Sequence, residues 1–141
     1  MSKIFLITGD RKGIGRSLSE YYLSQGNIVI GCSRSGSDLE HNNYEHLICD
    51  VGDEKSVKSL ILHIRKKHKS IDILINNAGM ASMNHILTTP VSTFDKLVHT
   101  NLKGTFLFTR EASKIMRKKG GSIVNFSTVA SPLNLEGEAI Y

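Results

Sequence analysis

Long apolar runs are missing from this chain. The longest are about five residues, those around residues 4–7 among them, whereas a membrane-spanning helix needs roughly 20. A signal-peptide pattern is not expected either. Met1, Ser2 and Lys3 lead into a strand-like segment, and polar Thr8, Gly9 and Asp10 follow at once. Cysteine is scarce: Cys32 and Cys49 have neither metal-ligand nor redox spacing, so the expectation is two reduced thiols in a cytoplasmic protein. Aromatic side chains make up 6% of the residues and none is interleaved with the basic runs. The net charge of +5 is therefore not read as a nucleic-acid surface. Part of it is clustered, in Arg65, Lys66, Lys67, His68 and Lys69 and again in Arg117, Lys118 and Lys119. Each cluster closes a helix-like stretch, where cations complement the helix dipole. Repeats and low-complexity tracts are absent.

What is present reads as one globular domain over residues 1–141, long enough for a core and too short for two. Short apolar runs alternate with longer amphipathic ones. Residues 3–8, 27–31, 44–49, 71–76 and 122–127 read as strands. Residues 13–25 place Ile14, Leu18, Tyr21 and Tyr22 at helical spacing, and Gly26 is the stop. Residues 53–69 form a second helix, with the stripe Val57, Leu60, Ile61, Ile64 and a candidate cap in Asp53. A long third helix lies within residues 90–119, between Pro90 and Gly120-Gly121. Strands alternating with helices imply parallel crossovers. The fold class is therefore α/β, a doubly wound parallel sheet of Rossmann type. Its ligand site is expected at the carboxyl ends of the strands.

The residues with chemistry fall at those ends. Thr8-Gly9-Asp10-Arg11-Lys12-Gly13-Ile14-Gly15 follows the first strand and opens the first helix. Gly9 permits a tight turn, Gly13 a close backbone approach to a pyrophosphate, and Gly15 close packing of helix on sheet. After the second strand come Ser33 and Arg34, where an NAD-preferring site usually carries an acidic residue. The Arg34 guanidinium suits a 2′-phosphate that a carboxylate would repel, and Lys12 offers a second cation. Two solvated surface cations are the alternative.

The string from Thr8 to Gly15 resembles the TGxxxGxG of the short-chain dehydrogenase/reductase family. Four further points extend the resemblance. Asp50 and Val51, after the third strand, match the positions that contact adenine in similar proteins; capping a turn is the other role open to Asp50. Asn76-Asn77-Ala78-Gly79 matches the family's NNAG, in which Ala78 and Gly79 pass close to the cofactor ribose and Asn77 ties neighbouring strands together. Asn101 matches the helix asparagine of a proton relay, with a kink or a satisfied polar contact as the alternative. The spacing back from Tyr141 puts the catalytic hydroxyl at Thr128, where the family has Ser, with Ser127 as the second candidate. Tyr141 matches the proton donor. The adjoining Asn125-Phe126-Ser127 matches a glycosylation sequon, to which a buried strand would give no access.

The resemblance implies NADP(H) as cofactor and hydride transfer between nicotinamide and a small-molecule carbonyl or acyl substrate, nearest to the β-ketoacyl-carrier-protein reductase branch. It implies a homo-oligomer in full-length form, without nucleic-acid, membrane or metal partners. It also places a Lys about four residues, one helical turn, beyond Tyr141, so the sequence is expected to be a fragment, truncated after the fifth strand. The competing readings are a nucleotide-binding protein without turnover and a structural or subunit-interaction module.

Overall fold

The apolar runs associate into a five-stranded parallel sheet of order β3-β2-β1-β4-β5 in a computed structural model that describes residues 2–128, 133 and 140. β1 (Ile4–Thr8) lies at the centre, paired with β2 (Ile28–Ser33) on one side and β4 (Ile73–Asn76) on the other. β3 (Tyr44–Ile48) and β5 (Ser122–Asn125) flank them. Strand order reverses between β2 and β4, which makes the carboxyl end of β1 the switch point where an open α/β sheet offers a crevice.

Helices cover both faces. α1 (Gly13–Ser24) packs over Phe5, Ile7, Val29 and Ile75 with Leu23 from its own buried stripe. On the opposite face, α2 (Glu54–His68) and α4 (Thr105–Met116) bury Val57, Leu60, Ile61, Ile64, Leu107 and Phe108 against Leu6, Ile30 and Leu74. This is why the inner strands read as unbroken apolar runs: both faces are covered. Burying each such Leu, Ile or Phe contributes about 1.5–3 kcal/mol.

Local signals set the helix ends. Asp53 caps α2, accepting from the Ser56 amide at 2.9 Å, and Arg65, Lys66, Lys67 and His68 fill its last turn. Gly26 follows α1 at φ 76°, a conformation that costs glycine nothing.

Two expectations need correction. The long helix within residues 90–119 is not uniform. It runs as α3 (Val91–Leu97), a π-helical stretch over Val98–Gly104, and then α4. A π turn is defined by i→i+5 backbone hydrogen bonds, which no residue type in Val98–Gly104 announces. The fifth strand is not buried: Ser122, Val124 and Asn125 are exposed, so burial does not shield the sequon there. β3 is likewise only partly buried, as a strand at the rim of the sheet must be.

Candidate functional site

The carboxyl ends of β1, β2, β3 and β4 surround a cleft of about 430 Å³. Its floor begins at Gly9, whose φ of 71° turns the chain and whose Cα faces the Ala78 backbone. A side chain on Gly9 would strike that backbone. Gly13 is different. It also has a positive φ, 59°, but a Cβ there would meet nothing within 4 Å and would project into open space. Gly15 does not line the cleft. It lets α1 sit against the Gly9 carbonyl and the Asn77 amide, where a Cβ has no room.

The NNAG segment is tied to the glycine turn by its polar groups. Thr8 Oγ1 accepts from the amides of Asn77 and Ala78, at 3.0 and 2.9 Å. Asn77 Nδ2 donates to the carbonyls of Thr8 and Gly9, at 3.0 and 3.2 Å. Asn76 Nδ2 reaches across the sheet to Asn125 Oδ1 at 2.8 Å and to Thr109 on α4 at 3.1 Å. Each backbone group satisfied in this way frees the turn from needing further secondary structure.

Of the thirteen residues singled out for cofactor contact in the sequence, all but Gly15 line this cleft. Arg11, Lys12 and Ile14 come from the glycine turn, Ser33 and Arg34 from the end of β2, Asp50 and Val51 from the end of β3, and Asn77, Ala78 and Gly79 from the end of β4; all line the cleft with Gly9 and Gly13. Arg11, Lys12 and Arg34 are exposed, and none has an ion pair among the described residues. Asp50 does serve as a cap, accepting from the Gly52 amide at 3.0 Å, and it also meets His99 Nε2 at 3.2 Å. The Ser33 hydroxyl points at its own turn, donating to the Ser35 carbonyl at 2.5 Å.

The catalytic candidates are less gathered. Asn101 sits in the π turn, outside the cleft lining. Its Oδ1 accepts from the Met80 amide at 2.9 Å and its Nδ2 donates to the Met80 carbonyl at 2.8 Å. Both groups of the Asn101 amide are thus hydrogen-bonded, which is one of the roles the sequence left open. Thr128 is half-buried just beyond β5, and Ser127 is exposed. Tyr141 lies outside the described residues.

Cys32, Cys49, Ser35, Met80 and Thr100 line the cleft without having been singled out. The two thiols meet side by side, and the Cys49 contact together with burial pushes the Cys32 thiol up. Their spacing in sequence carries no hint of this, since β2 and β3 bring them together. Among the described residues, no helix is long and apolar enough to cross a membrane.

A crevice at the switch point of a doubly wound sheet, floored by glycines and rimmed with unpaired cations, is where an open α/β sheet takes its ligand. The chain belongs to the short chain dehydrogenase family, whose profile matches residues 3–141. It is 31% identical to the 3-oxoacyl-[acyl-carrier-protein] reductase FabG of Salmonella typhimurium, over 99% of this chain and 60% of that protein. The fold superposes on aldohexose dehydrogenase of Thermoplasma acidophilum with a TM-score of 0.92 at 32% identity, covering 99% of this chain and 55% of that one. ElxO with NADP bound gives a TM-score of 0.92 at 32% identity, with 100% of this chain and 61% of that one covered. The chain thus spans about two-fifths to three-fifths of the length of the curated relatives it matches.

Proposed function

We propose that the protein is an NADP(H)-dependent oxidoreductase that transfers hydride between nicotinamide and the carbonyl or secondary alcohol of a small acyl or carbonyl substrate. The observation that carries this reading is the cleft itself. It pairs an open face above Gly13 with three unpaired cations, Arg11, Lys12 and Arg34, and the end of β2 offers no carboxylate. A pyrophosphate fits the first feature, since the α1 amides and dipole favour anions there. A 2′-phosphate fits the second, through the Arg34 fork and Lys12. The likeness to FabG and to ElxO with NADP bound supports both the class of reaction and the cofactor.

When bound, the nicotinamide supplies or accepts the hydride. The chain's own part is to orient and to move a proton. Ala78 and Gly79 leave room for the ribose, and Asp50 and Val51 face the adenine. Asn101 holds the Met80 backbone at the mouth of the cleft, and this anchors the segment that borders the substrate side. Thr128 donates a hydrogen bond to the substrate oxygen, with Ser127 as the alternate donor, and Tyr141 delivers the proton. A free phenol titrates near 10 and needs positive charge close by to act at neutral pH. The same reading makes the whole protein a cytoplasmic homo-oligomer.

The test is turnover by the whole protein. NADPH oxidation is followed with a panel of ketones, aldehydes and β-ketoacyl thioesters. Substrate-dependent oxidation supports the reading. Tight NADPH binding with no oxidation across the panel favours a nucleotide-binding protein without turnover, and the replacement of the family's Ser by Thr128 is the residue that favours that second reading.

A further inference from the structure

A buried polar cluster lies behind the cleft, on the α1 side of the sheet, and none of the roles above uses it. Asp10 follows Gly9 in the glycine turn, and its carboxylate is wholly buried. Room for it comes from Gly31 on β2, where any Cβ would collide with the carboxylate. Two side chains from β3 face it. Tyr44 donates its hydroxyl proton to Asp10 Oδ2, and His46 Nδ1 lies 3.2 Å from Asp10 Oδ1. Burial, and then the Asp10 contact, push the Tyr44 phenol up, which keeps it a donor. By hydrogen-bond geometry His46 Nδ1 meets Asp10 Oδ2, at 3.5 Å, and among the described residues no hydrogen bond reaches Asp10 Oδ1.

The other ring nitrogen points out of the cluster, toward the cofactor side. His46 Nε2 lies 2.9 Å from the Ser35 carbonyl and 3.3 Å from Ser33 Oγ. A carbonyl only accepts, so Nε2 carries hydrogen and donates to it. Nδ1 faces the Asp10 carboxylate and a Tyr44 oxygen whose own proton is already committed. Polar contacts at both ring nitrogens, with the Asp10–Tyr44 pair on one side and the Ser35 carbonyl on the other, fix the ring plane.

Arg34 stands between two pinned carbonyls. That of Ser33 accepts from the Cys49 amide at 2.8 Å, and that of Ser35 accepts from His46 and from Ser33 Oγ. We infer that His46, held by Asp10, is a positioning residue for cofactor discrimination: it fixes the Ser33–Ser35 turn so that Arg34 addresses the 2′-phosphate. The inference rests on the NADP(H) reading above. It gives His46 a selective effect. NADH has no group for Arg34 to grip, so a looser turn weakens NADPH alone.

The experiment compares two amides on the whole protein. Asn places its side-chain nitrogen near the histidine Nδ1 position and Gln places its own near Nε2. His46→Asn keeps a donor for Asp10 and loses the one for Ser35, while His46→Gln does the reverse. NADPH and NADH are titrated separately by calorimetry. His46→Asn is expected to raise the NADPH Kd about tenfold and to change the NADH Kd by less than about twofold, in keeping with loss of a charge-assisted bond. His46→Gln is expected to keep the NADPH preference. In an Arg34→Ala background, His46→Asn is expected to have no further effect on NADPH, because the two residues act through one contact.

Equal loss of both cofactors in His46→Asn, or an NADPH preference that survives it, overturns the inference while leaving the NADP(H) reading intact. An additive effect in the Arg34→Ala background overturns it too, and that comparison holds even if one variant is destabilised. Equal affinity for the two cofactors in the unmutated protein takes down the NADP(H) reading and this inference together.

Discussion

Gly13 and Gly26 are the same kind of residue put to different uses. Both have positive φ, 59° and 76°, and a Cβ on either meets nothing within 4 Å. Gly26 ends α1 at the far end of the sheet, whereas Gly13 opens the same helix at the cleft. Placing a side chain at either position costs about 1–2 kcal/mol of backbone strain. Only at Gly13 would the added atoms occupy the space assigned to a phosphate. Gly26→Ala is therefore a control for Gly13→Val. Thermal melts should show both variants destabilised, with the branched side chain the worse of the two. Titration should show NADPH binding lost in Gly13→Val and unchanged in Gly26→Ala. Normal binding by Gly13→Val would reduce the glycine string to a structural turn. The string itself was legible because three glycines at a strand-to-helix junction answer local demands. Asp10 within it was not. Its partners Tyr44 and His46 are 34 and 36 residues away, and nothing in a glycine motif says that its second residue is buried under another strand.

At the scale of elements, α2 and α4 are joined along their outer edge by a chain of charges. Arg110 reaches Glu54 at 2.7 Å and Glu111 at 2.7 Å, Lys58 meets Glu54 at 2.7 Å, and Lys114 meets Glu111 at 2.7 Å. Lys58 first and Arg110 next hold the Glu54 carboxyl down to about 2, and Lys114 and Arg110 lower that of Glu111. Carboxyls lowered in the folded state stabilise it above their unfolded value, and that stabilisation fades as pH falls through the folded value. Arg110→Met removes the shared cation, whose guanidinium also lies over the Phe106 ring, and keeps most of the apolar stem. Its thermal midpoint should fall below that of the unmutated protein at pH 6, and the gap should close between about pH 4.5 and pH 2. Added salt should narrow the gap as well, since every member of the network except the buried Glu111 reaches solvent. A gap that persists unchanged at pH 2 would mean that packing, not charge, is what Arg110 contributes. The helices themselves were readable from apolar stripes and caps such as Asp53. The π turn was not, because the extra residue per turn shows only in the backbone hydrogen bonds. It brings Asn101 to Met80 and His99 to Asp50, two contacts that sequence spacing alone does not suggest.

For the whole molecule, the decisive fact is strand order. With β1 between β2 and β4, four strand ends separated widely in sequence open onto one cleft, and each brings a short motif to it. The alternation of strand and helix was enough to anticipate that layout, because right-handed parallel crossovers leave few other arrangements. It could not anticipate what depends on lateral register, such as the meeting of Cys32 and Cys49, or the inward turn of the Ser33 hydroxyl. On the NADP(H) reading, this cleft takes a dinucleotide bearing a 2′-phosphate, gripped by Arg34. Calorimetric titration of the whole protein with NADPH and NADH, repeated on Arg34→Asp, tests it most directly. Tighter binding of NADPH than of NADH is expected in the unmutated protein. One charge-assisted contact contributes about 1.5–3 kcal/mol, so Arg34→Asp should weaken NADPH tenfold or more. NADH binding should hold or improve, because a carboxylate at that position suits ribose hydroxyls. Equal affinities for the two cofactors before mutation, or an NADPH affinity indifferent to Arg34→Asp, would contradict it.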